Sequence, residues 1–347
     1  MAYRSDRSDV SDLSDPNQYL GIRTEAGEAF LLRASMHLIA ELDGIIFDFD
    51  GVLVDVGESI QLVHGEAARL FFEARGWVNC DDLVEPSDVD AFKLAGGFNS
   101  DWELAFAWLL LYLFKAERHH SEDGQFLKGI SPTLKEFAAG LVGGLDSAVS
   151  AIRQSCSPEE WAAIESQWDC PMLQRLFQEV YSGDLCEEVY GFKAEIVTGA
   201  GLIHKDRPIL DKRFLPPVKL GIATGRTYGE TVVSRRLMGW EDVFPIEAIV
   251  SEDDGFLKPD PRVLALAVEK LGARRPIYVG DTPDDLLTAK RYNGTMPACM
   301  VLSGHGAGIR EFFIAEKADV IADNVNAALL AIGQCIGGAL CQEERRK

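Results

Sequence analysis

The chain has 347 residues, 47% hydrophobic and 26% charged, the composition of a folded globular protein with length for two domains or for one core with a large insertion. Its 34 basic and 55 acidic residues leave a formal charge of −21, a field that repels polyanions and argues against wrapping nucleic acid or docking on an anionic membrane through charge. The longest strongly apolar stretch, Leu104 to Phe114, is far short of the ~20 residues that span a bilayer.

The first residues repeat Ser-Asp every three positions (Ser5-Asp6, Ser8-Asp9, Ser11-Asp12, Ser14-Asp15) and offer little apolar surface, so residues 1–20 are expected to be a disordered acidic tail. They contain no apolar h-region, and a cytoplasmic location is expected. The seven cysteines are scattered with no CxxC pair and read as reduced thiols. Phe30 to Leu42 has the spacing of a short helix or an edge segment leading into the core.

Gly44-Ile-Ile-Phe-Asp-Phe-Asp-Gly51 is a β-branched and aromatic run that ends abruptly in two carboxylates and a glycine, a buried strand delivering acids at its C-terminal end. From residue 59 to 198 the pattern changes to helices: Ser59 to Arg75, Asp101 to Arg118, Thr133 to Val142, Pro158 to Ser166 and Met172 to Tyr181. Glycine pairs at 96–97 and 143–144 break this stretch, and Ser157-Pro158-Glu159-Glu160 is a helix start with a serine cap and early acids. Short apolar strands then recur at Val218 to Thr224, Ala248 to Ser251, Pro276 to Gly280, Ala298 to Leu302 and Asp319 to Ile321, each separated by a helix. That alternation predicts an α/β fold with a doubly wound, mostly parallel, Rossmann-like sheet. The expected organisation is an α/β core from 21–58 and 199–333, a helical cap domain inserted at 59–198, and a C-terminal tail at 334–347.

Four motifs fall near the C-terminal ends of predicted parallel strands, where ligands bind in open α/β sheets: Asp48-Phe-Asp50-Gly-Val-Leu-Val-Asp55, Ile222-Ala-Thr224-Gly225-Arg226, Lys258-Pro-Asp-Pro, and Gly280-Asp281-Thr-Pro-Asp284-Asp285. Each alone is weak. Asp-x-Asp-Gly is a common turn, and a calcium loop would need further oxygens and a terminal glutamate that the sequence after Gly51 lacks. In this combination and order the chain resembles the haloacid dehalogenase-like hydrolases, subfamily IA, in the phosphatase branch with an α-helical cap after the first strand. The core motifs cover residues 44–58 and 218–325, and the cap resembles the family only in kind and position.

The resemblance implies a Mg²⁺-dependent phosphatase acting on a small phosphorylated metabolite. Asp48 is then the nucleophile, forming an aspartyl-phosphate that splits a difficult hydrolysis into two displacements. Asp50, two residues on, is the general acid and base. Ionised acids and a phosphate crowd together only around a cation, and hard oxygen ligands suit Mg²⁺. The family pattern gives the metal Asp48, the Asp50 carbonyl and Asp281, with Asp285 in direct, water-mediated or indirect contact; Asp284 stands where relatives often carry asparagine. Thr224 and the Gly225 amide would bind phosphoryl oxygens, and Lys258 would neutralise the nucleophile and the transferring group. Arg226 departs from the asparagine-serine type of sequence common there, and is read either as a clamp for a second anionic group or as a solvent-facing arginine.

The length of the cap points to substrate choice being made there. Gly96-Gly-Phe-Asn99-Ser-Asp101-Trp102 is a candidate specificity loop, weighed against a capped helix start with a core tryptophan. Gly65, Glu66 and Arg69 face either the site or solvent, and the six histidines are expected on helix surfaces or loops. Lys205-Asp-Arg-Pro is read as a basic stretch that closes the cap hinge or bonds to carboxylates. Dehalogenation is disfavoured because it needs no acid at the Asp50 position. Sugar-phosphate mutases share every core motif and stay as an alternative, as does a non-catalytic phospho-ligand binding protein, which would be expected to lose a motif acid or Lys258. An oxidoreductase or P-loop enzyme is disfavoured: the glycines at 199–201 and 304–308 complete no dinucleotide fingerprint, and no Gly-x4-Gly-Lys-Ser/Thr is present. A monomer or a homodimer is expected.

Overall fold

The computed structural model describes residues 18–98, 100–292, 295–303 and 309–338. The Ser-Asp repeats, Asn99, the glycine-rich stretch 304–308 and the chain beyond 338 lie outside the described residues. By its internal contacts the chain forms two compact units, one of residues 1–55, 208–224 and 240–347, the other of residues 56–207 and 225–239.

The first unit is built on an eight-stranded sheet. Its strands are β1 (Tyr19–Thr24), β2 (Gly27–Leu32), β3 (Gly44–Phe47), β4 (Lys219–Ala223), β5 (Ile249–Val250), β6 (Pro276–Gly280), β7 (Ala298–Val301) and β8 (Val320–Ala322), in the order β1-β2-β8-β7-β6-β3-β4-β5. From β3 to β8 every pairing is parallel, with Phe47 opposite Ile222 of β4 and Val279 of β6. These are the six strands expected from the sequence. They read clearly because a parallel strand is covered on both faces: β3, β6, β7 and β8 are buried at every position.

β1 and β2 form an antiparallel hairpin that extends the sheet alongside β8. Residues 19 and 20, expected in the disordered tail, instead begin this hairpin, which the sequence pattern does not announce. Tyr19 is buried, and its hydroxyl donates to the Ala318 carbonyl at 2.9 Å. Phe30 to Leu42 is part edge strand and part helix, since β2 runs to Leu32 and a short helix follows at Met36–Ile39. The expected C-terminal tail also starts too early: the helix Val325–Ile336 runs past residue 334, and Cys335 is fully buried.

The second unit is helical. Helices Ile60–Glu73, Asp101–His119, Leu134–Ala139, Pro158–Gln167 and Cys170–Ser182 correspond to the five expected, with further helices at Pro86–Ala95, Gly124–Lys128, Gly144–Gln154 and Cys186–Tyr190. Ser157 caps Pro158–Gln167 in a reciprocal capping box with Glu160, as the local sequence predicts. Residues 199–207 and 225–239, assigned to the core from sequence, group with the helices. Tyr228–Leu237 is a helix whose N-cap, Thr227, forms a capping box with Glu230. No helix among the described residues is long and apolar enough to cross a membrane.

Candidate active site

In the first unit the parallel strands deliver the predicted acids to one place. Asp48 follows directly on β3 and is held to β6 by its amide, which donates to the Val279 carbonyl at 2.8 Å. Gly51 adopts a φ of 72°, the left-handed region where a Cβ is disfavoured, and its amide closes a tight turn onto the Val54 carbonyl. That turn ends the strand, with Asp50 half-buried at its start. Asp281 follows β6, and Asp285 lies in the first turn of the helix Pro283–Arg291. One carboxylate oxygen from each of Asp48, Asp281 and Asp285 lies within 4.8 Å of the others, and all three side chains are buried.

Lys258 enters this cluster from the loop between β5 and the helix Arg262–Leu271, eight residues beyond the strand end expected to carry it. Its Nζ is 2.8 Å from Asp48 Oδ1 and 2.7 Å from Asp285 Oδ1. Burial lowers the proton affinity of the ammonium, but Asp285 and Asp48 more than reverse this and hold it charged. Asp48 is pushed up to about 8, first by burial and further by the charges of Asp285 and Asp281, against the pull of Lys258. Asp285 is also desolvated, yet Lys258 and its hydrogen bonds keep it below the ordinary carboxylate value.

The three acids do not have equal freedom. Asp285 Oδ1 accepts from Lys258 and from the Tyr278 hydroxyl, both at 2.7 Å. Its Oδ2 accepts from the Asp281 amide (3.1 Å), the Thr282 amide (3.0 Å) and the Thr282 hydroxyl (2.7 Å). With five donors on two oxygens, Asp285 serves as the N-terminal clasp of its helix and the anchor of Lys258, so of the contacts expected for it with a metal the indirect one fits. A Cβ on Gly280 would collide with the Asp285 carboxylate, which explains a glycine at the end of β6. Asp284 is also buried, in the same first turn.

A buried group of carboxylates, two of them offering hard oxygens beside one ammonium, is a donor set that suits a small divalent cation. The upward pressure on Asp48 points the same way, because a second positive charge would let it ionise.

Thr224 directly follows β4, buried, with its amide bonded to the Val250 carbonyl at 3.0 Å; Gly225 and Arg226 begin the stretch that groups with the helical unit. Arg226 is corrected by the structure on both of its readings. It is 4% exposed, and its guanidinium donates to the Tyr181 hydroxyl (2.7 Å), Ser234 Oγ (2.6 Å) and Asp206 Oδ2 (3.1 Å). An arginine committed to a buried carboxylate is neither solvent-facing nor open to a second anionic group of a substrate. Asp206 is the member of Lys205-Asp-Arg-Pro that matters: it also accepts from the Ser59 and Ser234 hydroxyls and from Tyr181, while Arg207 is exposed.

The other cap residues fall on the structural side. Gly97 packs on the backbone of Gly143 and Gly144, and Trp102 is buried edge-on to Phe177. Asp101 pairs with His64 Nε2 (3.3 Å) and Lys93 (3.4 Å). His64 is fully buried rather than on a helix surface: Trp108 Nε1 donates to its Nδ1, so the neutral ring donates from Nε2 to Asp101, and burial holds its pKa down. Gly65, Glu66 and Arg69 line a cavity of about 490 Å³ within the helical unit, with Arg69 paired to Glu66 and Glu73. Tyr278 was missed. Flanked by Ile277 and Val279, it reads from sequence as one more buried strand residue, and only its hydroxyl's partners distinguish it.

A model of the haloacid dehalogenase-like hydrolases matches residues 215–293. A curated protein from Phytophthora nicotianae, an imidazoleglycerol-phosphate dehydratase, is 24% identical over 257 residues, 73% of this chain; the chain spans 42% of that protein's length. Among solved structures, the phosphatase Tt82 from Thermococcus thioreducens is 25% identical, with a TM-score of 0.50 over 75% of this chain and 92% of its own. A structural-genomics X-ray structure, 17% identical, gives a TM-score of 0.56 over 87% of this chain and 99% of its own, a likeness of fold.

Proposed function

We propose that the chain, whose residues 215–293 match the haloacid dehalogenase-like hydrolases, is a Mg²⁺-dependent phosphatase that hydrolyses a small phosphomonoester through an aspartyl-phosphate on Asp48. The observation that carries the reading is the buried group in which Asp48, Asp281 and Lys258 meet at the ends of β3 and β6.

Asp48 attacks phosphorus through a carboxylate oxygen as the bond to the ester oxygen breaks, and Asp50 gives that oxygen a proton. Water then attacks the aspartyl-phosphate, losing its proton to Asp50 and regenerating Asp48. Lys258, with its charge fixed against Asp48, offsets the negative charge of the incoming phosphoryl group, and the Thr224 hydroxyl binds a phosphoryl oxygen. Asp48, Asp281 and the Asp50 carbonyl would hold Mg²⁺, with Asp285 supporting them indirectly, and the ion when bound would supply charge neutralisation on the phosphoryl oxygens.

The test is phosphate release from a panel of phosphoglycolate, sugar phosphates, nucleoside monophosphates and histidinol phosphate with Mg²⁺, using Asp48→Asn as the blank. Release abolished in a folded Asp48→Asn protein supports the reading. Substantial residual release removes Asp48 as nucleophile, and interconversion of sugar phosphates without release replaces the phosphatase by a mutase.

A further inference from the structure

We propose that Tyr278 is a positioning residue for this site, its hydroxyl locking the Lys258 ammonium against Asp48. The inference rests on the phosphatase reading and adds to it a residue outside the four motifs.

Tyr278 lies in the middle of β6, fully buried, and its ring is part of the core. A phenylalanine would pack as well there, so what needs explaining is the hydroxyl. Its oxygen is 2.7 Å from Asp285 Oδ1, 3.2 Å from Lys258 Nζ and 3.4 Å from the Ala223 carbonyl. A phenol has one proton to give, and the short contact to an ionised carboxylate claims it. The oxygen's lone pairs then face the ammonium as acceptors.

Lys258 is thus surrounded by Asp48 Oδ1 at 2.8 Å, Asp285 Oδ1 at 2.7 Å and the Tyr278 oxygen at 3.2 Å, three acceptors for the three protons an ammonium carries. A lysine is a point charge on a flexible stem, and one carboxylate would leave it free to swing. Three acceptors fix both its place and its direction, so the charge is already set where phosphoryl transfer needs it. Tyr278 also donates to the Asp285 oxygen that holds Lys258, so its removal loosens two contacts together.

Tyr278→Phe tests this, since it keeps the ring and removes one oxygen. Two readouts separate positioning from packing. In the metal-free protein labelled with ¹⁵N-lysine, the wild type should show a slowly exchanging ammonium signal that Lys258→Met removes, and Tyr278→Phe should speed its exchange by about tenfold or more. In turnover, Tyr278→Phe should lower kcat by about 10- to 100-fold with KM changed less than about twofold, and should add no further loss in a Lys258→Met background. Unchanged ammonium exchange, or a loss that multiplies fully with that of Lys258→Met, would overturn the proposal. If the wild type hydrolyses nothing, the phosphatase reading fails while the exchange measurement still decides whether Tyr278 holds Lys258.

Discussion

Removing Asp206 should destabilise the helical unit more than removing Arg226, although the two form one ion pair. Both side chains are almost fully buried and meet at 3.1 Å. Deleting one member of such a pair strands the other in a medium that solvates it poorly, at a cost of ~3–5 kcal/mol. The neighbours make the two deletions unequal. In Arg226→Met, Asp206 still accepts from three hydroxyls, those of Ser59, Tyr181 and Ser234. In Asp206→Ala, the guanidinium retains hydroxyl acceptors on Tyr181 and Ser234 and the field of Glu230, but it cannot give up its charge. We therefore expect about 4–5 kcal/mol for Asp206→Ala and about 2–3 kcal/mol for Arg226→Met. Guanidinium unfolding followed by tryptophan fluorescence reads this well, because Trp77, Trp102, Trp108, Trp161 and Trp168 all lie in the helical unit and only Trp240 lies in the other. Losses below about 1 kcal/mol for both variants would show that the pair contributes little net energy. A rise in KM confined to substrates with a second anionic group, at unchanged stability, would refute the burial argument and restore Arg226 as a clamp.

Asp281→Ala should raise the Mg²⁺ concentration needed for half-maximal hydrolysis by about 10- to 100-fold, and an unchanged titration would contradict its assignment as a ligand. Gly280→Ala should cut turnover sharply, because its Cβ would displace the Asp285 carboxylate and with it Lys258; wild-type kcat would show that the anchor is dispensable. Lys115 is buried with its Nζ on the Leu127 carbonyl, and its pKa is lowered from 10.5 to about 8, first by burial. Between those values the unfolded chain carries a proton that the folded chain lacks, so the wild type should gain stability relative to Lys115→Met as pH rises from about 8 to about 10.5. Parallel stability curves for the two proteins across that window would refute the shift.

What the sequence made legible, and what it hid, divides along a physical line. The six parallel strands could be read because burial on both faces writes itself into consecutive residues: Ile-Ile-Phe before Asp48 and Ile-Tyr-Val before Gly280 leave few alternatives. The site acids could be read because a strand end fixes where the next residue goes, and a short turn such as that at Gly51 is encoded locally. The hairpin at Tyr19–Thr24 escaped because YLGIRT has one face only partly covered and no continuous apolar run. Buried polar side chains escaped for a stronger reason. Asp206 sits between Lys205 and Arg207 in a stretch that looks solvated, yet its charge is balanced by Arg226 twenty positions away and by hydroxyls at 59, 181 and 234. His64 depends likewise on Trp108 and Asp101, and Tyr278 on Lys258 and Asp285. A local window shows the charge and never the partner that makes burial tolerable. An arginine beside a motif threonine was thus read as facing substrate or solvent, the two environments a local window can supply, when the third, an internal carboxylate, was the one that held it.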